Sequence, residues 1–281
     1  MKIAFLTSGG IAPCLSASIG RLIENYLKEY PDIEMIGYLN GYKGLLIGNS
    51  ITLPKSLLGN TDKFYQFGGT PLGNSRVKLT NTEDCIKKGY IRKGEKPLEV
   101  AANQLVKDEV TILHIIGGDD TNTTAADLAF YLKNTDYKLT IIGLPKTIDN
   151  DIYPIAQTMG AWTAAEQGAI FFENIVNENT TSDRQLIIHE IMGRDCGWLT
   201  AATAFEYRKR LSKVHFIDEI EIQKEKWDIH SVLLPEEKFD FEKEYKHLNT
   251  VMDKYDCVNI FLSEGVSELV IKETTNSGET I

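Results

Sequence analysis

The chain has 281 residues, 42% of them hydrophobic and 25% charged, a globular composition large enough for one big domain or two ordinary ones. Forty acidic against 30 basic residues leave a net charge of −10, which argues against nucleic-acid binding driven by phosphate neutralisation while leaving room for a local basic pocket. The four cysteines, Cys14, Cys85, Cys196 and Cys257, stand singly, so neither a zinc knuckle nor a disulfide framework is expected. The apolar start over residues 1–6 is too short for a signal-peptide core or a membrane span, and a reducing, cytoplasmic setting without a membrane partner is expected.

In chain order, one pattern recurs. Residues 3–6 form an apolar run that reaches Thr7-Ser8-Gly9-Gly10, after which Leu15, Ile19, Leu22, Ile23, Tyr26 and Leu27 fall on one helical face. The β-branched run 110–116 stops at Gly117-Gly118-Asp119-Asp120, and a helix is predicted over 125–133. A strand over 139–144 ends at Pro145-Lys146-Thr147-Ile148-Asp149-Asn150-Asp151, and 161–175 carries a long helical pattern. A strand over 186–191 ends at Met192-Gly193-Arg194, and one over 257–262 ends at Ser263-Glu264-Gly265. Between them, the charge-rich stretch 227–244, with a loop at 233–237, reads as solvated surface. Apolar strands alternating with helices predict parallel sheets covered by helices, and such sheets bind ligands beyond their carboxyl ends. Every polar turn named above sits at such an end. A domain boundary is placed near Met159, giving domains 1–158 and 159–281.

The turns carry the chemistry. Gly9-Gly10 can bring backbone N–H groups close to an anion, although a strand-to-helix turn also takes glycine for conformational reasons. In Gly117-Gly118-Asp119-Asp120-Thr121 the glycines permit a phosphate to approach, and two carboxylates there require a cation such as magnesium. Helix capping by Asp120 or Thr121 accounts for one carboxylate only. The string from Lys146 to Asp151 sets a cation and two carboxylates around a hydroxyl, with Asp149 as a base and Lys146 as charge for a transferring phosphoryl group. An Asx turn explains Asp149-Asn150 and not the rest. Arg194 suits bidentate phosphate recognition, while an arginine at a strand end is by itself an ordinary ion-pairing residue. His114 and His189 lie within β-runs and read as core histidines.

Together, Thr7-Ser8-Gly9-Gly10, Gly117-Gly118-Asp119-Asp120, the string from Pro145 to Asp151 and Met192-Gly193-Arg194 resemble the phosphofructokinase family, in order and spacing from Lys2 to about Gly265. The resemblance implies two Rossmann-like three-layer α/β domains with mostly parallel sheets, the first binding pyrophosphate and magnesium and the second the sugar phosphate, with the active site in the cleft between them. It points to the pyrophosphate-dependent branch, because ATP-using members typically carry glycine at the positions of Asp120 and Lys146, and many carry Asp where this chain has Ile11. A carboxylate at 120 would crowd and repel the inner phosphate of a nucleotide, and Lys146 would neutralise pyrophosphate.

The activity so implied is a magnesium-dependent, reversible transfer of phosphate from pyrophosphate to the 1-hydroxyl of fructose 6-phosphate, giving fructose 1,6-bisphosphate for glycolysis or gluconeogenesis. Asp149, Lys146, Asp120 and Arg194 are the implied catalytic residues. Gly10, Asp120, Lys146 and Arg76 would bind pyrophosphate, and Asp119 the magnesium. Thr147, Asp149, Asp151, Met192, Gly193, Arg194 and Glu264 would surround the sugar phosphate, with Arg184 reaching that of a neighbouring subunit in a dimer or tetramer. Family members continue with a Tyr/Arg-containing segment that residues 272–281 do not contain, so the second domain is expected to be C-terminally incomplete. The open alternatives are ATP as donor, sedoheptulose 7-phosphate as acceptor, and a truncated, catalytically silent subunit.

Overall fold

The apolar run after Met1 becomes β1 (Lys2–Thr7), and the helical face that follows becomes α1 (Leu15–Glu29), which buries Leu15, Ile19, Ile23 and Leu27. Next come β2 (Glu34–Tyr38), α2 (Tyr42–Ile47), β3 (Ser50–Thr52), α3 (Thr82–Lys87), α4 (Pro97–Lys107), β4 (Ile112–Gly117), α5 (Asp119–Lys133), β5 (Thr140–Thr147) and β6 (Met159–Gly160). These strands form one sheet in the order β3-β2-β1-β4-β5-β6, parallel throughout except for the antiparallel pair β2–β3. The remainder holds α6 (Ala161–Ile175), β7 (Gln185–Ile191), α7 (Trp198–Leu211), α8 (Lys224–Trp227), β8 (Ser231–Leu233), α9 (Phe241–Tyr255) and β9 (Cys257–Ser263). Its three strands form a second parallel sheet, β7-β9-β8. The computed structural model describes residues 1–10, 12–238 and 240–266.

Two units result, Met1–Thr147 with Thr158–Gly160, and Ile148–Gln157 with the chain from Ala161 onward. Residues 148–157 therefore group with the second unit, whereas a single boundary at 158/159 would assign them to the first. In the first unit Leu6, Leu113 and Ile115 pack with Leu105 and Leu128 on one face of the sheet, and Phe5 and Ile116 pack with Ile19 and Ile23 on the other. In the second, Ala165, Ala169 and Phe172 of α6 meet Leu199 and Tyr207 of α7 over Phe261 of β9. Helices α6 and α7 approach closely because a Cβ at Gly168 would stand 2.9 Å from Thr203 Cγ2.

Three expectations are corrected. Helix α5 starts at Asp119 rather than at 125, because acidic residues suit the positive end of a helix; both carboxylates are thus first-turn residues. Strand β5 continues through Pro145 and Lys146 to Thr147, because β6 pairs only with Lys146 and Thr147, past the proline that lacks an N–H. The stretch 227–244 is not merely solvated surface: β8 lies in it, pairing with β9 through Ser231, Val232 and Leu233.

His114, mid-strand in β4, is 3% exposed, stacks on Phe5 at 5.4 Å and shares a 2.7 Å hydrogen bond between its Nε2 and the Tyr26 hydroxyl. Burial lowers its pKa to about 4. Between that value and the ordinary one near 6.5 the unfolded chain binds one more proton than the folded chain, so stability rises with pH across this window. Acidification through it is expected to cost about 3 kcal/mol at most from this group, and His114→Phe is expected to remove that component. Thermal melts at a series of pH values test this; equal acid sensitivity in the parent and the variant refutes it. His189 is only half-buried, set among Phe171, Phe172 and Phe261.

Candidate active site

In the first sheet the chain winds one way from β1 to β2 and the other way from β4 to β5, so the switch point, where ligands of such sheets bind, lies between the carboxyl ends of β1 and β4. Both glycine turns flank it. A Cβ at Gly9 would stand 3.1 Å from Thr121 Oγ1, 3.5 Å from the Gly118 nitrogen and 3.9 Å from Lys146 Nζ, and Gly9 holds φ at +89°, where a side chain is strained. Lys146 is 3% exposed and its ammonium donates to the Gly10 carbonyl. Asp119 and Asp120 are exposed on the first turn of α5, and Asp120 Oδ2 pairs with Lys78 Nζ at 2.7 Å.

The turn after β1 is strapped by residues 70–76. Thr7 Oγ1 donates to the Gly73 carbonyl at 2.7 Å. The Gly9 N–H and Ser8 Oγ both donate to the Ser75 carbonyl, at 2.9 and 2.8 Å. Asn74 Nδ2 donates to the Gly9 carbonyl at 2.6 Å and the Gly10 carbonyl at 3.2 Å. Arg76, next along the strap, is exposed. Lys146, Gly10 and the start of α5 therefore come together as the sequence reading expects. Thr147 ends β5 beside them, its carbonyl accepting from Thr158 Oγ1 at 2.8 Å.

In the second sheet β7 and β9 are neighbours, so the turns at their carboxyl ends meet. Glu264 Oε2 accepts from the backbone N–H groups of Gly193 and Arg194 at 3.1 and 3.0 Å. Those two bonds, Arg194's first, hold its carboxyl below the usual range. Arg194 adopts φ +51°, and its Nη2 lies 3.3 Å from Asp149 Oδ2. The Asp149 side chain is 12% exposed while that of Arg194 is 78% exposed. Cys196 Sγ approaches the Asp149 carbonyl at 3.3 Å. Asp151 is exposed and adds to the field that keeps Arg194 charged, after Asp149 itself. Met192 is 65% exposed.

Arg184 is not brought to this group. It precedes β7, at the opposite end of a seven-residue strand, about 26 Å from Met192 at ~3.3 Å per residue. There its Nη1 pairs with Asp253 Oδ1 at 2.8 Å. Ile11 and residues 272–281, used in the sequence reading, lie outside the described residues. The sequence reading does not single out Asn74, Lys78 or Gly265, which the structure sets against Gly9 and Gly10, Asp120 and Arg194. Gly265 could be found only in three dimensions: a Cβ there would collide with the Arg194 carbonyl.

Among the described residues no cluster of three or more His, Cys, Asp or Glu could cage a metal. No helix among them is long and apolar enough to cross a membrane.

Glycine turns at the switch point of a doubly wound sheet, and a guanidinium and carboxylates at strand ends of a second parallel sheet, define a phosphate-handling α/β protein. The Phosphofructokinase family model matches residues 2–280, and the chain belongs to that family. It is 55% identical over 281 residues to the pyrophosphate–fructose 6-phosphate 1-phosphotransferase of Methylotuvimicrobium alcaliphilum, covering 100% of this chain and 69% of the relative. It is 50% identical over 280 residues to the protein of that name from Mastigamoeba balamuthi, covering 99% and 68%. The crystal structure of a pyrophosphate-dependent phosphofructokinase from Marinobacter aquaeolei superposes with a TM-score of 0.71 at 24% identity, over 94% of this chain and 61% of the other.

Proposed function

We propose that the chain is a pyrophosphate-dependent phosphofructokinase, moving phosphate from pyrophosphate to the 1-hydroxyl of fructose 6-phosphate to give fructose 1,6-bisphosphate and phosphate. The observation that carries this is the buried Lys146 ammonium set against the Gly9-Gly10 turn, together with the names of the relatives at 50–55% identity. A fixed positive charge beside backbone N–H groups suits the compact charge of pyrophosphate. The first unit is then the pyrophosphate and magnesium domain and the second the sugar-phosphate domain.

In this reading Gly10 and Arg76 contact pyrophosphate, and Lys146 stabilises the phosphoryl group in flight. Asp120, held by Lys78, occupies space that the inner phosphate of a nucleotide would need. Asp119, exposed on the first turn of α5, fits a cation held by one or two carboxylates and by substrate phosphates. Asp119 would hold magnesium, which would supply positive charge to the phosphoryl oxygens. Asp149, three residues beyond Lys146 in the chain, takes the proton of the sugar hydroxyl. Thr147 and Asp151 support that group, Arg194 binds the sugar phosphate with Met192 and Gly193, and Glu264 orients the Gly193-Arg194 backbone while touching the sugar. A homo-oligomer belongs to the same reading: Arg184 lies apart from this chain's own Arg194 group, and the family resemblance assigns it to a neighbouring subunit's sugar phosphate.

The test is the initial rate of fructose 1,6-bisphosphate formation with magnesium and either pyrophosphate or ATP. Turnover with pyrophosphate alone supports the reading; preference for ATP, or no turnover with either, overturns it. Gly265→Ala is expected to raise KM for fructose 6-phosphate severalfold, because the new methyl pushes on the Arg194 backbone, with KM for pyrophosphate unchanged. An unchanged sugar KM would show that this turn tolerates displacement.

A further inference from the structure

We propose that Asn74 is a positioning residue for the pyrophosphate donor: its side-chain amide clamps the Gly9 and Gly10 carbonyls and so sets the direction of the Gly10 N–H. The inference rests on the reading above and gives a role to a residue outside the implied set.

Both partners of the Asn74 amide are carbonyl oxygens, at 2.6 and 3.2 Å, and these only accept, so the donor end of the side chain is determined by chemistry. Asn74 Oδ1 is buried without a hydrogen-bond partner among the described residues; the side chain is oriented through its NH2 group. A trans peptide is planar, so the Gly9 C=O and the Gly10 N–H point in opposite directions across one plane. Drawing that carbonyl toward residues 70–76 turns the N–H away from the strap. Glycine has no side chain to restrain such a plane, and Gly9 lies at φ +89°, so the restraint must come from outside the turn. Lys146 holds the Gly10 carbonyl as well. An anion is recognised by N–H groups and repelled by carbonyls. A turn whose carbonyls are already held back meets its ligand without rearrangement.

Calorimetric titration of magnesium pyrophosphate without sugar, and initial rates, are compared for the parent, Asn74→Ala, Asn74→Ser and Asn74→Asp, with thermal melts confirming that each is folded. Asn74→Ala is expected to raise the Kd and KM for pyrophosphate about tenfold, leaving KM for fructose 6-phosphate unchanged. Asn74→Asp, with a carboxylate facing two carbonyls, is expected to do worse, and Asn74→Ser, which retains a donor, to recover part. Unchanged pyrophosphate affinity in Asn74→Ala and Asn74→Asp, or equal weakening of both substrates in all three variants, overturns the proposal. A parent that neither binds nor uses pyrophosphate overturns the functional reading itself. A pyrophosphate-using parent with indifferent variants overturns this inference alone.

Discussion

Asp149→Ser is expected to lower kcat by about 10²–10⁴-fold, the span of general-base catalysis, while the Kd for magnesium pyrophosphate changes little. The carboxylate is the proposed proton acceptor, and serine retains a small polar side chain without a base of comparable strength. The loss should be read in catalysis and not in folding. Arg194 is 78% exposed and stays hydrated when its partner at 3.3 Å is removed, and ion pairs with one exposed member contribute little to stability. The pyrophosphate residues belong to the first unit and Asp149 to the second, so a calorimetric titration separates the two effects. A kcat within threefold of the parent would remove Asp149 from the role of base.

The second large effect concerns the donor. Lys146→Met is expected to lower pyrophosphate-dependent kcat by about 10²–10³-fold, the usual cost of losing one preorganised charge at a developing transition state. Methionine has nearly the length of the lysine stem and fills the buried site, so the melting temperature should hold. Asp120→Gly, removing a carboxylate that is 74% exposed and paired with Lys78, is expected to shift the ratio of ATP-dependent to pyrophosphate-dependent turnover at least tenfold toward ATP. Parallel assays with the two donors decide it. If Lys146→Met leaves the pyrophosphate rate intact, or Asp120→Gly leaves the ratio where it was, the electrostatic account of donor choice fails at that residue.

Much of this is legible in the sequence alone. The spacing of Leu15, Ile19, Ile23 and Leu27 predicts α1 and the face it buries, because a helix repeats every 3.6 residues whatever surrounds it. The long helical pattern over 161–175 becomes α6 with the same limits. Strand β8 escaped notice because three residues, Ser231, Val232 and Leu233, among charged neighbours carry no period long enough to read. The helical start at Asp119 escaped because the glycines before it read as a longer turn, and the end of β5 escaped because Pro145 reads as a stop.

By itself the sequence determined which residue types stand at each strand end, glycines, carboxylates, Lys146 and Arg194, and the family to which their order belongs. These are local matters, settled by residue type and by neighbours within a turn or two of the chain. Only the tertiary structure decided which turns meet. Parallel pairing of β1 with β4 and of β7 with β9 joins residues about 70 to 110 positions apart, and no local pattern encodes that register. The same long-range packing buried Lys146 against Gly10, laid Asn74 across the glycine carbonyls, tied Glu264 to the Arg194 backbone and left Arg184 at the far end of its strand. Burial and convergence are properties of segments distant in sequence, so they exist only once the sheets have formed.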